Sequence, residues 1–81
     1  VMKKKLFGDY LFEERKKQGK TAVMLAKACG ISRSYVTLIE NGKRLPSKKH
    51  IRKIANALHL EAGVVLNWYL EDISHKIRKH L

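Results

Sequence analysis

The amino-acid sequence predicts an all-α fold of five helices, and three kinds of observation support this. Apolar residues recur at intervals of three and four, the spacing that aligns them along one face of a helix. Serine or threonine stands just before three of these segments, where a side-chain oxygen can cap a helix. Glycine follows three of them, as it commonly does where a helix ends.

The first helix is predicted to begin at Leu6 or Phe7 and to run to Gln18. Gly19 then takes the C′ position, which favours glycine because its backbone adopts a left-handed conformation there. Residues 1–5 precede this helix as a basic arm that contains three consecutive lysines. Two interpretations of the arm stay open, a frayed and solvated terminus or a specific contact with a groove or a phosphate.

Two short helices joined by a tight turn are predicted next. The first runs from Ala22 to Cys29 and the second from Arg33 to about Asn41, each preceded by a capping residue, Thr21 or Ser32. This arrangement is that of a helix-turn-helix. The residues predicted to face inward and hold the two helices together are Leu25, Ala26, Val36 and Ile39.

The N-terminal end of the second of these helices is predicted to present polar side chains to solvent. Short side chains that form hydrogen bonds suit contact with base edges in the major groove of DNA. Arg33 is the best candidate for a bidentate contact with guanine, and Ser32 and Ser34 for hydrogen bonds to bases. Thr37 and Leu38 are expected to contact a thymine methyl group or a sugar.

A fourth helix is predicted from Lys48 to Leu58. Pro46 blocks continuation of the preceding structure, and Ser47 is expected to cap the new helix. Its apolar face follows the spacing i, i+3, i+4, i+7 and consists of Ile51, Ile54, Ala55 and Leu58.

Residues 61–81 predict one long helix, or two helices with a joint near Asp72–Ser74. Val65 and Trp68 are expected to pack on the rest of the domain, and the charges of Glu71 and Asp72 suit an outward or intersubunit face. A second apolar seam resembles that of a coiled coil and predicts a homodimer interface; the alternative is that the helix folds onto its own domain. This seam consists of Leu66, Leu70, Ile73, Ile77 and Leu81.

The chain carries a strongly uneven charge. Its 81 residues include 18 Lys and Arg and 7 Asp and Glu, for a formal net charge of +11. Residues 1–60 hold fifteen basic and four acidic side chains, whereas residues 61–81 hold three of each. The whole excess therefore lies on the helix-turn-helix portion, where it suits binding to phosphates. The alternative is that the charge serves solubility alone.

Composition also limits the function classes. The single cysteine, Cys29, cannot form an intramolecular disulfide and is expected to be a buried apolar residue, with a redox role as the alternative. No apolar run approaches the length of a membrane span, so a cytoplasmic protein is expected. His50 and His59 are expected at the surface rather than on a metal. No catalytic constellation, cofactor or metal site is predicted, and therefore no enzyme.

The string GISRSYVTLIENGKRLPS, with Gly19 and Thr21 ahead of it and IRKIANALHL after it, resembles the Cro/C1-type (XRE-like) helix-turn-helix family. The resemblance covers about residues 6–66, and its most specific part is SxxYVxxIENGKRxPS. It implies a five-helix, phage-repressor-like domain. The predicted organisation is the arm at 1–5, the DNA-binding domain at 6–60, and an extended C-terminal helix at 61–81 as the dimerisation element.

The resemblance also implies roles for particular residues. Arg15 and Glu40 stand where the family often has a largely buried ion pair, which would be structural here. Ala22 stands where the family usually has a glutamine that contacts a phosphate, so Lys20 or Lys27 is expected to supply the electrostatic part of that interaction. The further contacts implied with the DNA backbone come from Tyr35, Asn41, the Gly42 amide, Lys43 and Arg44.

Two functions from different classes follow. The first is a sequence-specific regulator of transcription, a repressor, that binds double-stranded DNA as a homodimer on an inverted repeat. The second is a protein-interaction module, such as an antitoxin or an antagonist of another regulator, that binds a protein partner through the C-terminal helix. The apolar Val23 and Met24, of which one is expected to be exposed, favour the second function.

Overall fold

The computed structural model describes residues 5–80 and contains five α-helices. In chain order they are α1 (Phe7–Lys17), α2 (Ala22–Cys29), α3 (Arg33–Glu40), α4 (Lys48–Ala57) and α5 (Ala62–Lys79). None of the described residues forms a strand, so the predicted all-α fold is confirmed. Residues 1–4 of the predicted arm and Leu81 of the predicted seam lie outside the described residues.

Local capping fixes the two helices of the helix-turn-helix. The Thr21 hydroxyl accepts the Met24 amide at 3.1 Å, and the Ser32 hydroxyl accepts the Tyr35 amide at 3.0 Å. Gly30 ends α2 with a φ of 68°, and the chain bends by 112° between α2 and α3. Both caps satisfy amides that have no partner within their own helix.

Ser47 departs from its predicted role. It occupies the N-cap position of α4, but its side chain makes no capping hydrogen bond to the backbone. Its Oγ instead lies 2.8 Å from Nδ1 of His50. The Ser47 hydroxyl therefore pairs with the histidine ring and makes no hydrogen bond to the first amides of α4.

One hydrophobic core includes side chains from all five helices. It contains the four residues predicted to join α2 to α3 and the four predicted on the apolar face of the fourth helix. Its buried members are Phe7, Leu11, Leu25, Ala26, Cys29, Val36, Ile39, Ile51, Ile54, Ala55, Leu58 and Val65. Helix α3 is thereby anchored along one side only, which leaves its other side at the surface.

Helix α1 crosses the end of α3 at very short range, through Gly8. A Cβ atom added to Gly8 would lie 2.2 Å from the carbonyl oxygen of Ile39 and 2.8 Å from that of Glu40. Only glycine therefore permits this approach of the two backbones. No sequence signal had singled out this residue.

Helix α5 is continuous through Asp72–Ser74, so the alternative of two helices is wrong. Its inner side packs on the domain, as predicted for Val65 and Trp68. The Trp68 ring meets Phe7 edge-on at 6.0 Å between centroids and stacks on Tyr10 at 5.5 Å. These aromatic contacts fix α5 against the start of α1.

Asp72 lies inside the molecule, contrary to the prediction that it belongs to an outward or intersubunit face. It is 2% exposed, accepts the Phe7 amide at 2.9 Å and pairs with Lys76. The first amides of a helix lack partners within it and favour negative charge. Asp72 therefore caps α1 from a position 65 residues away in the chain. Its neighbour Glu71 accepts the Tyr10 hydroxyl at 2.7 Å.

Within residues 5–80, no single helix is long and apolar enough to cross a membrane. Only by length and composition could the bent pair of α2 and α3 form a broken span. The same part of the chain contains no group of three or more His, Cys, Asp or Glu side chains placed to hold a metal ion.

Candidate nucleic-acid interface

The N-terminal half of α3 presents a polar surface on the side away from the core. Val36 and Ile39 are buried on the inner side. The five predicted base contacts are all exposed, and four of them line one shallow depression in the surface. We call this set the recognition face: Ser32, Arg33, Ser34, Thr37 and Leu38.

The Ser32 hydroxyl, at the start of this face, can both accept and donate a hydrogen bond. Its oxygen accepts the Tyr35 amide, which fixes the side chain against the first turn of α3. A serine hydroxyl also carries one hydrogen that it can donate, so capping leaves this donor free for another partner. The cap thus orients the hydroxyl and keeps it able to form a further hydrogen bond.

The loop after α3 carries exposed polar and basic residues. Asn41, Gly42, Lys43 and Arg44 are all exposed, and Gly42 has a φ of 76°. The Gly42 amide, predicted as a phosphate donor, instead donates to the carbonyl of Ile39 at 3.1 Å. The end of α3 leaves carbonyls without partners, and this amide satisfies one of them. The amides of Asn41 and Lys43 also donate to carbonyls of α3, so these two residues offer donors through their side chains.

Tyr35 lies at the centre of a cluster that connects the recognition helix to the loop and to α4. The Arg44 guanidinium is 5.6 Å from the centroid of the tyrosine ring, and the His50 ring meets the same ring at 5.4 Å. Ser47 holds the histidine through its hydroxyl. We call Tyr35, Arg44, Ser47 and His50 the tyrosine cluster.

Sequence reasoning missed His50 as a member of this site. The available signal was the spacing Ser47-x-x-His50, which places the histidine at N3 of α4. In a capping box, the N3 side chain interacts with the N-cap residue. A histidine at that position is therefore expected to meet the serine rather than to extend into solvent alone.

Lys20 was predicted to contact the DNA backbone, but the structure directs it into the domain. Its ammonium donates to the carbonyl of Ala57, at the end of α4. A cation at the C-terminal end of a helix is favourable because carbonyls there are unpaired and the helix dipole is negative. Among the residues predicted to contact the DNA backbone, Lys20 therefore has the least support from the structure.

Arg15 and Glu40 form a paired, nearly buried bridge between α1 and α3. Nε and Nη2 of Arg15 donate to the two carboxylate oxygens at 2.7 and 3.0 Å, and Nη1 donates to the Lys20 carbonyl at 2.8 Å. Their side chains are 10% and 9% exposed. The hydrogen bond to Glu40 raises the pKa of Arg15, against the opposing effect of burial. The pair holds the C-terminal end of α3 in place.

Exposed basic side chains are frequent on the elements that precede and follow α3 in the chain. They come from the end of α2, the loop and α4: Lys27, Lys43, Arg44, Lys48, Lys49, Arg52 and Lys53. Of these, Lys48 and Arg52 also line a depression against α5. This distribution gives the region a positive field of the kind that attracts a polyanion.

Two apolar surfaces lie outside this region. On α5, Leu66, Leu70 and Ile77 of the predicted seam are exposed, and Ile73 is partly buried. On α2, Val23 and Met24 are both exposed, at 41% and 51%, although only one was expected to be. Neither surface is covered by the described part of the chain.

Known proteins are similar to this chain over most of the helices described above. Residues 11–64 match a family model described as helix-turn-helix. The chain is 38% identical over 61 residues to the ImmF control region 10 kDa protein of Bacillus phage phi105, an alignment covering 75% of this chain and 68% of that protein.

Two solved structures share the fold. The restriction-modification controller protein C.AhdI from Aeromonas hydrophila superposes with a TM-score of 0.70 at 39% identity, over 73% of this chain and 89% of that one. SinR, a master regulator for biofilm formation solved in complex with DNA, superposes with a TM-score of 0.70 at 26% identity, over 75% of this chain and 98% of that one.

Proposed function

The chain belongs to the helix-turn-helix family, of the Cro/C1 (XRE-like) type, and from this premise we propose that it is a transcriptional regulator that recognises a specific sequence in double-stranded DNA. We further propose that it acts as a homodimer on an inverted repeat and represses transcription. Repression is the simpler outcome, since occupancy of an operator is enough to block transcription.

The observation that carries the proposal is the recognition face. All five of its residues are exposed, four of them are polar, and Val36 and Ile39 fix it from behind, so it can enter a major groove without rearrangement. In this proposal Arg33 reads a guanine by a bidentate contact, and Ser32 and Ser34 form hydrogen bonds with bases. Thr37 and Leu38 contact a thymine methyl group or a sugar.

The surrounding residues would position the protein on the duplex. We assign backbone contacts to Tyr35, Asn41, Lys43 and Arg44, which belong to α3 and the loop that follows it. Contacts of this kind fix register and contribute affinity, but they do not distinguish one sequence from another. SinR shares this fold and was solved in complex with DNA, which supports DNA as the proposed ligand.

The seam on α5 supports the proposed homodimer. Leu66, Leu70, Ile73 and Ile77 follow alternating steps of four and three residues, which aligns them along one side of the helix. Three of them are exposed and would be covered by a second copy. A two-fold dimer would then bind half-sites centred about one helical turn apart, roughly 34 Å.

Selection of bound duplexes from a random pool tests the proposal directly. A shared, symmetric site with half-sites one turn apart is expected, whereas a pool that stays random would refute sequence-specific recognition. On the selected duplex, Arg33→Ala should lose about 1–3 kcal/mol of discrimination at one base pair. Lys43→Ala should weaken all sequences equally and flatten the salt dependence.

A lysine on α5 supplies the control for charge. Lys79→Ala removes the same charge as Lys43→Ala but lies outside the proposed interface, so its affinity should stay within about twofold of the wild type. If Arg33→Ala and Lys43→Ala both lowered affinity uniformly across operator variants, the division between base and backbone contacts would be wrong.

The second candidate is a protein-interaction module, such as an antitoxin or a regulator antagonist. The exposed seam on α5 and the exposed pair Val23 and Met24 favour it. A gel shift against random duplexes at two salt concentrations separates the two functions. Binding that weakens steeply with salt supports the regulator, and absence of any shift at low salt supports the protein partner.

A further inference from the structure

His50 is held in a defined position beside the recognition helix. Its Nδ1 lies 2.8 Å from Oγ of Ser47, and its ring meets the Tyr35 ring at 5.4 Å with an angle of 66° between the planes. The side chain is therefore fixed from its own helix and from α3. Neither sequence reasoning nor the proposed backbone contacts assigns it a function.

The hydrogen bond to Ser47 determines what the other ring nitrogen can do. A neutral histidine that accepts the serine hydroxyl at Nδ1 carries its hydrogen on Nε2. Among the described residues, no other hydrogen bond to this ring is present. Nε2–H is then a donor without a protein partner, at a site that already contains Tyr35 and Arg44.

The charges that act on the ring are all positive. Lys49 and Lys53 lie on its own helix, and Arg44 stacks on the tyrosine ring that His50 contacts from α3. Burial lowers the pKa of His50, and the two lysines lower it further. No carboxylate of the described residues offsets them. Burial and the neighbouring cations therefore favour the neutral form of this histidine in the free protein.

We infer that His50 is a phosphate-binding residue of the tyrosine cluster and that it takes up a proton when a DNA duplex binds. This inference rests on the proposed function, because it assigns a contact within that interface. A backbone phosphate beside Tyr35 and Arg44 would accept a hydrogen bond from Nε2. Its negative charge would also favour the imidazolium, which the lysines disfavour in the free protein.

Proton uptake on binding has a definite sign. Affinity is greatest below the pKa of the free histidine, where both forms are protonated. It falls as pH rises from the pKa of the free histidine to that of the bound histidine, and it is lowest above the latter. One proton per protomer allows at most about a tenfold loss of affinity per pH unit. Between pH 6 and pH 8, a loss of roughly three- to tenfold per protomer is expected.

The test measures binding of a fluorescein-labelled 20-base-pair duplex of arbitrary sequence at low, constant ionic strength. Phosphate contacts do not depend on sequence, so no operator is needed. Fluorescence anisotropy gives Kd from pH 5.5 to 8.5 for the wild type and for His50→Gln. The wild type should bind more weakly as pH rises, and His50→Gln should lose at least half of that dependence.

Two further measurements separate a phosphate contact from a purely structural histidine. Calorimetry in two buffers of different ionisation enthalpy should show net proton uptake by the wild type and less by His50→Gln. His59→Asn serves as the matched control, since His59 is exposed, lies at the other end of α4 with a φ of 57°, and asparagine tolerates that conformation. This control should keep the wild-type pH dependence.

The outcomes distinguish this inference from the function on which it rests. If the pH dependence of binding survived in His50→Gln, or if the variant lost affinity equally at every pH, His50 would have only a structural role. If no duplex bound at any pH or salt concentration, the proposed function would fail as well. A loss of pH dependence confined to His50→Gln supports the inference.

Discussion

Replacing Glu40 with alanine is expected to destabilise the domain by about 3–5 kcal/mol. Arg15 donates three hydrogen bonds, and two of them go to Glu40. A hydrogen bond to a charged group contributes roughly 1.5–3 kcal/mol, so losing two removes about 3–6 kcal/mol. The guanidinium of Arg15, whose side chain is 10% exposed in the wild type, would keep one carbonyl as its partner, a state that costs more than the pair contributes.

This loss is large relative to the total stability expected of such a domain. At about 0.05–0.15 kcal/mol per residue, a chain of 81 residues has a free energy of unfolding of roughly 4–12 kcal/mol. Urea unfolding followed by far-UV circular dichroism measures the change. The double variant Arg15→Met with Glu40→Leu removes both charges and should cost less than Glu40→Ala alone, because no buried charge is left unpaired.

An exposed ion pair between Glu13 of α1 and Lys5, which precedes that helix, provides the control. Lys5 and Glu13 approach within 2.8 Å, a distance close to that of the buried pair, but their side chains are 50% and 55% exposed. Glu13→Ala should leave the urea midpoint unchanged. If Glu13→Ala and Glu40→Ala shifted the midpoint equally, burial would not be the cause of the effect and the reasoning would be refuted.

Three further predictions concern stability and reactivity. Gly8→Ala should lower the free energy of unfolding by roughly 1–3 kcal/mol. Gly63 has open space around it, so Gly63→Ala should raise the free energy of unfolding slightly. Equal shifts of the melting temperature in the two variants would contradict this prediction. Asp72→Ala leaves the Phe7 amide without its acceptor and should cost about 1–3 kcal/mol in urea unfolding, and an unchanged midpoint would argue against the cap. Burial raises the pKa of Cys29, so a thiol reagent at pH 8 should react at least about tenfold more slowly with folded than with denatured protein; similar rates would show an accessible thiol.

The helices were predictable because their signals are local. Thr21 and Ser32 cap helices that begin one residue later, and the predicted ends of α2 agree with the structure. The inward side of α3 followed from helical spacing alone, with Val36 and Ile39 buried as expected. Where structure depends on neighbours in the chain, sequence patterns were sufficient except at Ser47, whose hydroxyl pairs with His50 instead of capping α4.

The remaining features depend on residues that are distant in the chain. Asp72 reads as a surface charge on α5, and only the packing of α5 on α1 reveals it as a cap for Phe7. Gly8 reads as an ordinary helix residue until α3 is placed against it. In the candidate interface, Lys20 was assigned to the nucleic acid because nothing local indicates the Ala57 carbonyl that accepts its hydrogen bond.

The unbroken course of α5 has a geometric consequence for the proposed dimer. One side of this helix is fixed to α1 through Trp68 and Asp72, while the other side carries the exposed seam. No hinge separates the two, so a second copy joined at the seam would hold both recognition faces at one separation and one mutual rotation. Inserting a single base pair between half-sites rotates them by about 34° around the duplex. A dimer of this rigidity could bind the altered site only by twisting the DNA. Its affinity would therefore depend on the number of base pairs between the half-sites as well as on their sequence.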